Sequence, residues 1–160
     1  MKKLYYLIFV FFLALIGGCH QQQLALTEVE KEAIKKEVKE QFTQMVSAVQ
    51  QLNVDTWSEN FSKDQFVSVM LGTDYINDRS QFLNVVKTYF SMRDHQQIDS
   101  VNVQIKVLSS NSVLLTSEEN FKIWFKDGSN FQLNDAFSAL WQKEQEGWKI
   151  IYAHESWSEK

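Results

Sequence analysis

The sequence predicts an α+β domain in which helices from the N-terminal half pack on a curved antiparallel sheet built from the C-terminal half. Three observations carry this expectation. Apolar residues recur at helical spacing from Val29 to Leu52 and again from Phe82 to Phe90. Beyond His95 the apolar period changes from about 3.6 to 2 and does not change back. Turn-forming residues interrupt that second region three times, at 109–112, 127–129 and 144–147.

With 160 residues, no proline, five glycines and 14% aromatic residues, the chain suits one folded unit with a sizeable core. Its formal charge of −4 falls to −6 if Lys2 and Lys3 are removed with a leader, which argues against a nucleic-acid partner. A single cysteine excludes an intramolecular disulfide, and no Cys/His spacing resembles a zinc site, so neither metal nor cofactor is expected.

The N-terminus reads as an address. Met1-Lys2-Lys3 is basic, Leu4 to Ile16 is an apolar run of 13 residues, and Gly17-Gly18-Cys19 follows. That run is shorter than the roughly 20 residues a membrane-spanning helix needs and fits a secretory signal. Ile16-Gly17-Gly18-Cys19 resembles a bacterial lipobox. The resemblance implies cleavage before Cys19 and its acylation with palmitate-like chains, two or more of which anchor stably where one is marginal. The expected organisation is therefore a signal peptide over 1–18, an acylated cysteine and tether over 19–26, and a domain over 27–160. His20, where an aspartate often marks inner-membrane retention, points to the periplasmic side of the outer membrane in a diderm cell.

Thr27 and Glu30 form a capping-box pattern, and Val29, Ala33, Ile34, Val38, Phe42, Met45, Val46, Val49 and Leu52 mark one face of a long helix. The charged residues opposite read as a solvated face. Asn53 to Phe61 reads as a short helix with Trp57 and Phe61 on one side. Two short strands follow, over Gln65 to Leu71 and at Tyr75-Ile76, joined at Gly72-Thr73-Asp74. Ser80 is the expected N-cap of a helix ending near Arg93-Asp94. Four long antiparallel strands in a meander complete the chain, the last running from Trp148 to Trp157.

This order of elements resembles the NTF2-like family, also called SnoaL-like or cystatin-like, from about Thr27 to Trp157. The run Gly147-Trp148-Lys149-Ile150-Ile151-Tyr152-Ala153-His154 is similar to that family's closing strand, with Tyr152 where a histidine often stands. The resemblance implies a cone-shaped fold. It implies no single activity, because that fold hosts isomerases, dehydratases, binding modules and assembly domains.

Strand parity places Asp135 with Leu133 and Phe137, and Glu119 with Phe121 and Ile123, on apolar faces. If Phe125 pairs with Phe131, Phe121 faces Asp135 and Glu119 faces Phe137. If the last turn is tight at Glu144-Gln145, Trp141 faces Trp148, Phe137 faces Tyr152 and Asp135 faces His154. Trp148, Ile150, Tyr152 and His154 would then line the cone. A one-residue slip would reverse these assignments.

Three functional readings follow. The first is a lipid-anchored binding or accessory module taking a small apolar or amphipathic ligand in a pocket of His154, Asp135, Tyr152, Tyr75, Phe137 and Tyr89. The second is an isomerase or lyase in which Asp135 and His154 act as catalytic acid and base, as the resemblance to scytalone-dehydratase-like members implies; a carboxylate there would fix the ring's tautomer. A ketosteroid-isomerase-like arrangement could draft Asp135, Tyr75 and Tyr152. The third is a homodimer through the outer sheet face, with Leu114, Trp124 and Leu140 as its apolar patch.

Overall fold

In a computed structural model, residues 25–159 are described, apart from the side chains of Ser100 and Val101. The expected signal peptide, Cys19 and most of the expected tether lie outside the described residues. Helix α1 (Glu28–Gln50) starts at the expected capping box: Thr27 Oγ1 accepts from the Glu30 amide, and Glu30 accepts from the Thr27 amide at 2.8 Å. Val38, Phe42, Met45 and Ala48 are its buried stripe. Asn53 caps α2 (Val54–Ser58), shorter than expected, yet the Trp57 and Phe61 rings still meet at 4.7 Å.

Strands β1 (Ser68–Leu71) and β2 (Asp74–Ile76) turn at Gly72, whose φ of +60° suits glycine. Helix α3 (Arg79–Met92) is capped by Asp78, which accepts from the Gln81 amide, and not by Ser80. Ser80 instead donates to the Asp78 carboxylate at 2.5 Å, so the expected cap acts two residues away through its neighbour. The meander is β3 (Arg93–Ser109), β4 (Ser112–Phe125), β5 (Asn130–Glu144) and β6 (Gly147–Glu159).

The sheet order is β2-β1-β6-β5-β4-β3. It is mixed and not wholly antiparallel, because β1 runs parallel to β6. The helices pack on its inner face. Trp57, Phe61, Phe82 and Phe90 form an aromatic knot between α2 and α3, with neighbouring centroids 4.7 to 6.1 Å apart. Phe42 of α1 stacks on Phe137 of β5 at 6.1 Å. Polar contacts tie α1 to the closing strand: Gln41 donates to the Trp148 carbonyl and to Asn60, while Glu37 accepts from Lys143 and the Trp148 indole.

Two register features decide which side chains reach the interior. At the β4–β5 turn Phe125 and Ser129 close the loop and Ile123 pairs with Phe131, a slip of two residues from the expected pairing. An even slip changes partners but keeps faces. The β5–β6 pair begins with a slip of the same size, Trp141 meeting Ile150, and then Leu140 meets Tyr152. Ile151 is therefore an extra residue, a β-bulge, and every residue of β6 beyond it changes face. Trp148 and Ile150 point inward, and the inward series resumes at Ala153, Glu155 and Trp157.

Candidate functional site

The helices and the far halves of β4, β5 and β6 enclose a cavity of about 320 Å³. Phe121 and Ile123 come from β4, Leu133 and Phe137 from β5, Val46 and Val49 from α1, and Phe82 and Val86 from α3. Tyr89, Met92 and Trp157 line it while remaining 43%, 45% and 46% exposed, so they stand at its mouth.

One wall of this apolar chamber is acidic. Glu119 on β4 pairs directly with Asp135 on β5, and Asp135 pairs with Trp157 on β6. Glu155 lies opposite Phe137, one inward step from Trp157, so three carboxyls occupy adjacent inward positions on three strands. Glu119 and Asp135 are only 8% and 6% exposed. Ser117 donates to Glu119 at 3.1 Å. Asp135 Oδ1 is buried without a hydrogen-bond partner.

Burial and the nearby Glu119 charge push the Asp135 carboxyl up to about 7, only partly offset by the Ala136 and Ser156 amides. Burial and the charges of Asp135 and Glu119 push Glu155 up to about 8, against the opposing pull of Arg93. Arg93, the cation lining the cavity, donates to Gln96 and lies over the Phe90 ring at 5.6 Å. Its Nε is buried and unpaired, and it makes no direct ion pair with Glu155. Burial lowers the Arg93 pKa while Glu155 raises it. Gln96 in turn donates to the Val49 carbonyl, which ties the start of β3 to α1.

Of the residues expected in the pocket, Asp135, Phe137 and Tyr89 line this cavity. Tyr75, Tyr152 and His154 do not. Tyr75 is 62% exposed on β2 and pairs with Met70, and the Tyr152 hydroxyl approaches Met70 Sδ at 3.8 Å. His154 pairs with Ser138 and Met70, on the parity opposite Asp135. The expected Asp135–His154 pair is therefore not formed, and the cause is the Ile151 bulge. The same bulge brings in Glu155 and Trp157, which unbroken alternation from Trp148 and Ile150 would turn outward. Their sequence signal was the apolar run Ile150-Ile151, since adjacent buried residues interrupt strand alternation.

On the outer face Leu114 and Leu140 pair and continue to Tyr152, while Trp124 stacks on His95 at 4.3 Å. Among the described residues no group of three or more His, Cys, Asp or Glu is arranged to hold a metal ion, and no helix is long and apolar enough to cross a membrane.

Residues 38–158 match the SnoaL-like domain family. Among solved structures the chain is similar to an NTF2-like superfamily protein from Salmonella enterica serovar Typhimurium, with a TM-score of 0.72 at 18% identity over 81% of this chain and 94% of that one. It is also similar to a candidate scytalone dehydratase from Novosphingobium aromaticivorans, with a TM-score of 0.74 at 9% identity over 82% and 89% of the two chains. A hexachlorocyclohexane dehydrochlorinase from Novosphingobium barchaimii gives 0.69 at 7% identity over 82% and 91%. Likeness at these identities shows the fold alone. No curated protein matches the sequence.

Proposed function

The chain belongs to the SnoaL-like domain family, and from that premise we propose that it is a lipid-anchored envelope protein whose domain binds a small apolar or amphipathic molecule. The observation that carries this reading is the cavity itself: about 320 Å³, walled by aromatic and aliphatic side chains, with its acidic groups gathered on one side. Pockets of this kind, mostly apolar with a few convergent polar groups, take small molecules and orient them by the polar end. A neutral solvatochromic dye such as Nile red tests it. Saturable binding that Phe137→Trp weakens supports the reading; no saturable binding refutes it. The anchor rests on Ile16-Gly17-Gly18-Cys19, and metabolic labelling with palmitate that Cys19→Ser abolishes would support it. Homodimerisation across the Leu114–Leu140 face is compatible with this reading, and sedimentation tests it.

A second reading is favoured by the carboxyls of Asp135 and Glu155, raised to about 7 and about 8 on the wall of a mostly apolar chamber. Acids tuned close to neutrality suit proton transfer, one group taking a proton from carbon and the other returning one, as an isomerase or lyase requires. The dehydratase and dehydrochlorinase among the structural neighbours are in keeping with it. Deuterium incorporation from heavy water into a panel of aryl ketones, lost in Asp135→Asn, would support this chemistry; unchanged incorporation in Asp135→Asn would count against it.

A further inference from the structure

Resting on the ligand-binding reading above, we infer that the cavity takes a small alkyl or aryl carboxylic acid, with Arg93 holding the carboxylate and the tail filling the apolar interior.

Arg93 follows Met92 of the mouth and, among the described residues, is the lining residue with a permanent positive charge. Its guanidinium carries several N–H donors, yet within the described residues its side chain has one hydrogen-bond partner, the Gln96 side-chain oxygen, and no ion pair. It lies over the Phe90 ring at 5.6 Å. The charge is within reach of the chamber: burial lowers the Arg93 pKa, while Glu155 and Tyr89, which line the same cavity, raise it. A cation drawn out of water without a matching anion is costly, and a ligand that supplies the anion relieves that cost.

The guanidinium is also held in place before any ligand arrives. Gln96 is 5% exposed and donates its amide to the Val49 carbonyl of α1, which leaves its oxygen to accept from Arg93. Such preorganisation lowers the cost of binding. A planar guanidinium matches a carboxylate in charge and shape, and one arginine balances one charge, which favours a carboxylate over a doubly charged phosphate monoester. Phe121, Phe137 and Val86 supply apolar wall for the tail.

The other titratable groups make this binding depend on pH. Helices α1 and α2 and strand β1 present only apolar side chains such as Val49, Trp57 and Leu71; α3 presents Tyr89, and β4, β5 and β6 present Glu119, Asp135 and Glu155. Asp135 and Glu155, lifted to about 7 and about 8, are largely protonated at pH 6 and repel a ligand anion only as they ionise. A ligand carboxyl, like an ordinary glutamate near about 4.3, is already ionised there. Binding therefore favours the protonated wall, and affinity falls as pH rises from 6 to 8.

The test uses three probes of one shape, phenylbutyrate, phenylbutanol and phenylbutylamine, titrated calorimetrically into the full chain in lipid nanodiscs, with empty nanodiscs as reference. At pH 6 the butyrate should bind at least about tenfold more tightly than the alcohol, and the amine most weakly. From pH 6 to pH 8 the butyrate should weaken at least about threefold while the alcohol holds within about twofold. In Arg93→Met the butyrate-to-alcohol ratio should fall toward one with alcohol binding kept, and Arg93→Lys should retain part of the preference. Alcohol binding as tightly as butyrate, amine binding most tightly, or a ratio unchanged in Arg93→Met overturns the carboxylate head and leaves the binding cavity standing. Failure of all three probes while Nile red binds does the same. Failure of Nile red as well overturns the cavity reading and the inference with it.

Discussion

Replacing Asp135 by asparagine should change how stability depends on pH. Asp135 is 6% exposed, and burial, then Glu119, lifts its carboxyl from an ordinary 3.8 to about 7. The folded protein therefore holds a proton that the unfolded chain has already released near pH 4. Between those values the unfolded state binds fewer protons, so stability falls as pH rises. At about 1.4 kcal/mol per unit the full shift corresponds to a ceiling of about 4 kcal/mol, of which about 3 kcal/mol lies above pH 5. That is a large share of the roughly 5–15 kcal/mol by which a domain of this size is stable. Glu155, lifted from 4.5 to about 8, acts with the same sign, but the two acids are coupled and their contributions do not simply add. Carboxylates held below their usual range, such as Glu37 through its bonds to Lys143 and Trp148, lose their contribution only below about pH 4.5, outside this window. Urea unfolding followed by tryptophan fluorescence at pH 5, 6, 7 and 8 is the assay. The wild type should lose stability steadily across the series. Asp135→Asn should lose less than the wild type, keeping the part that Glu155 carries, and be the more stable protein at pH 8. A wild-type curve that is level or rising, or a variant with the full wild-type slope, would refute the burial of ionisable acids argued here.

Three further outcomes follow from the packing. Gly72→Ala should cost about 1–2 kcal/mol, because φ is +60° there and a Cβ would sit 3.4 Å from the Trp157 ring; an unchanged urea midpoint would show that this turn and ring are free to move. Gln41→Ala should cost about 1–3 kcal/mol, because the Trp148 carbonyl and Asn60 lose a part-buried donor; equilibrium unfolding measures it, and a loss below about 0.3 kcal/mol would contradict the clamp. A double-mutant cycle of Asp135→Asn with His154→Ala should give a coupling below about 0.5 kcal/mol, whereas Asp135→Asn with Glu155→Gln should exceed it at pH 8; the reverse order would restore the discarded pairing.

The helices and strand faces were legible because their signals are local. Thr27 and Glu30 cap α1 by a contact within one turn, and parity alone placed Glu119, Asp135 and Phe137 inward, correctly despite a two-residue slip. What escaped depends on longer-range geometry. The parallel seat of β1 on β6 joins residues more than 80 apart in the chain, such as Ser68 and Tyr152, and leaves no periodic trace. Arg93 reads as a helix end, and only the turn from α3 into β3 aims it at the cavity. The Ile151 bulge mattered most. One extra residue exchanged Tyr152 and His154 for Ala153, Glu155 and Trp157 on the inner face, turning an expected acid–imidazole pair into a cluster of three acids.

The central claim, that these acids are buried together on one wall of an apolar chamber, is tested most directly by carbon-detected NMR titration of the Asp135 and Glu155 carboxyls. The account predicts midpoints near 7 and 8, both well above the ordinary carboxyl range. Midpoints near the ordinary 3.8 and 4.5 would contradict it.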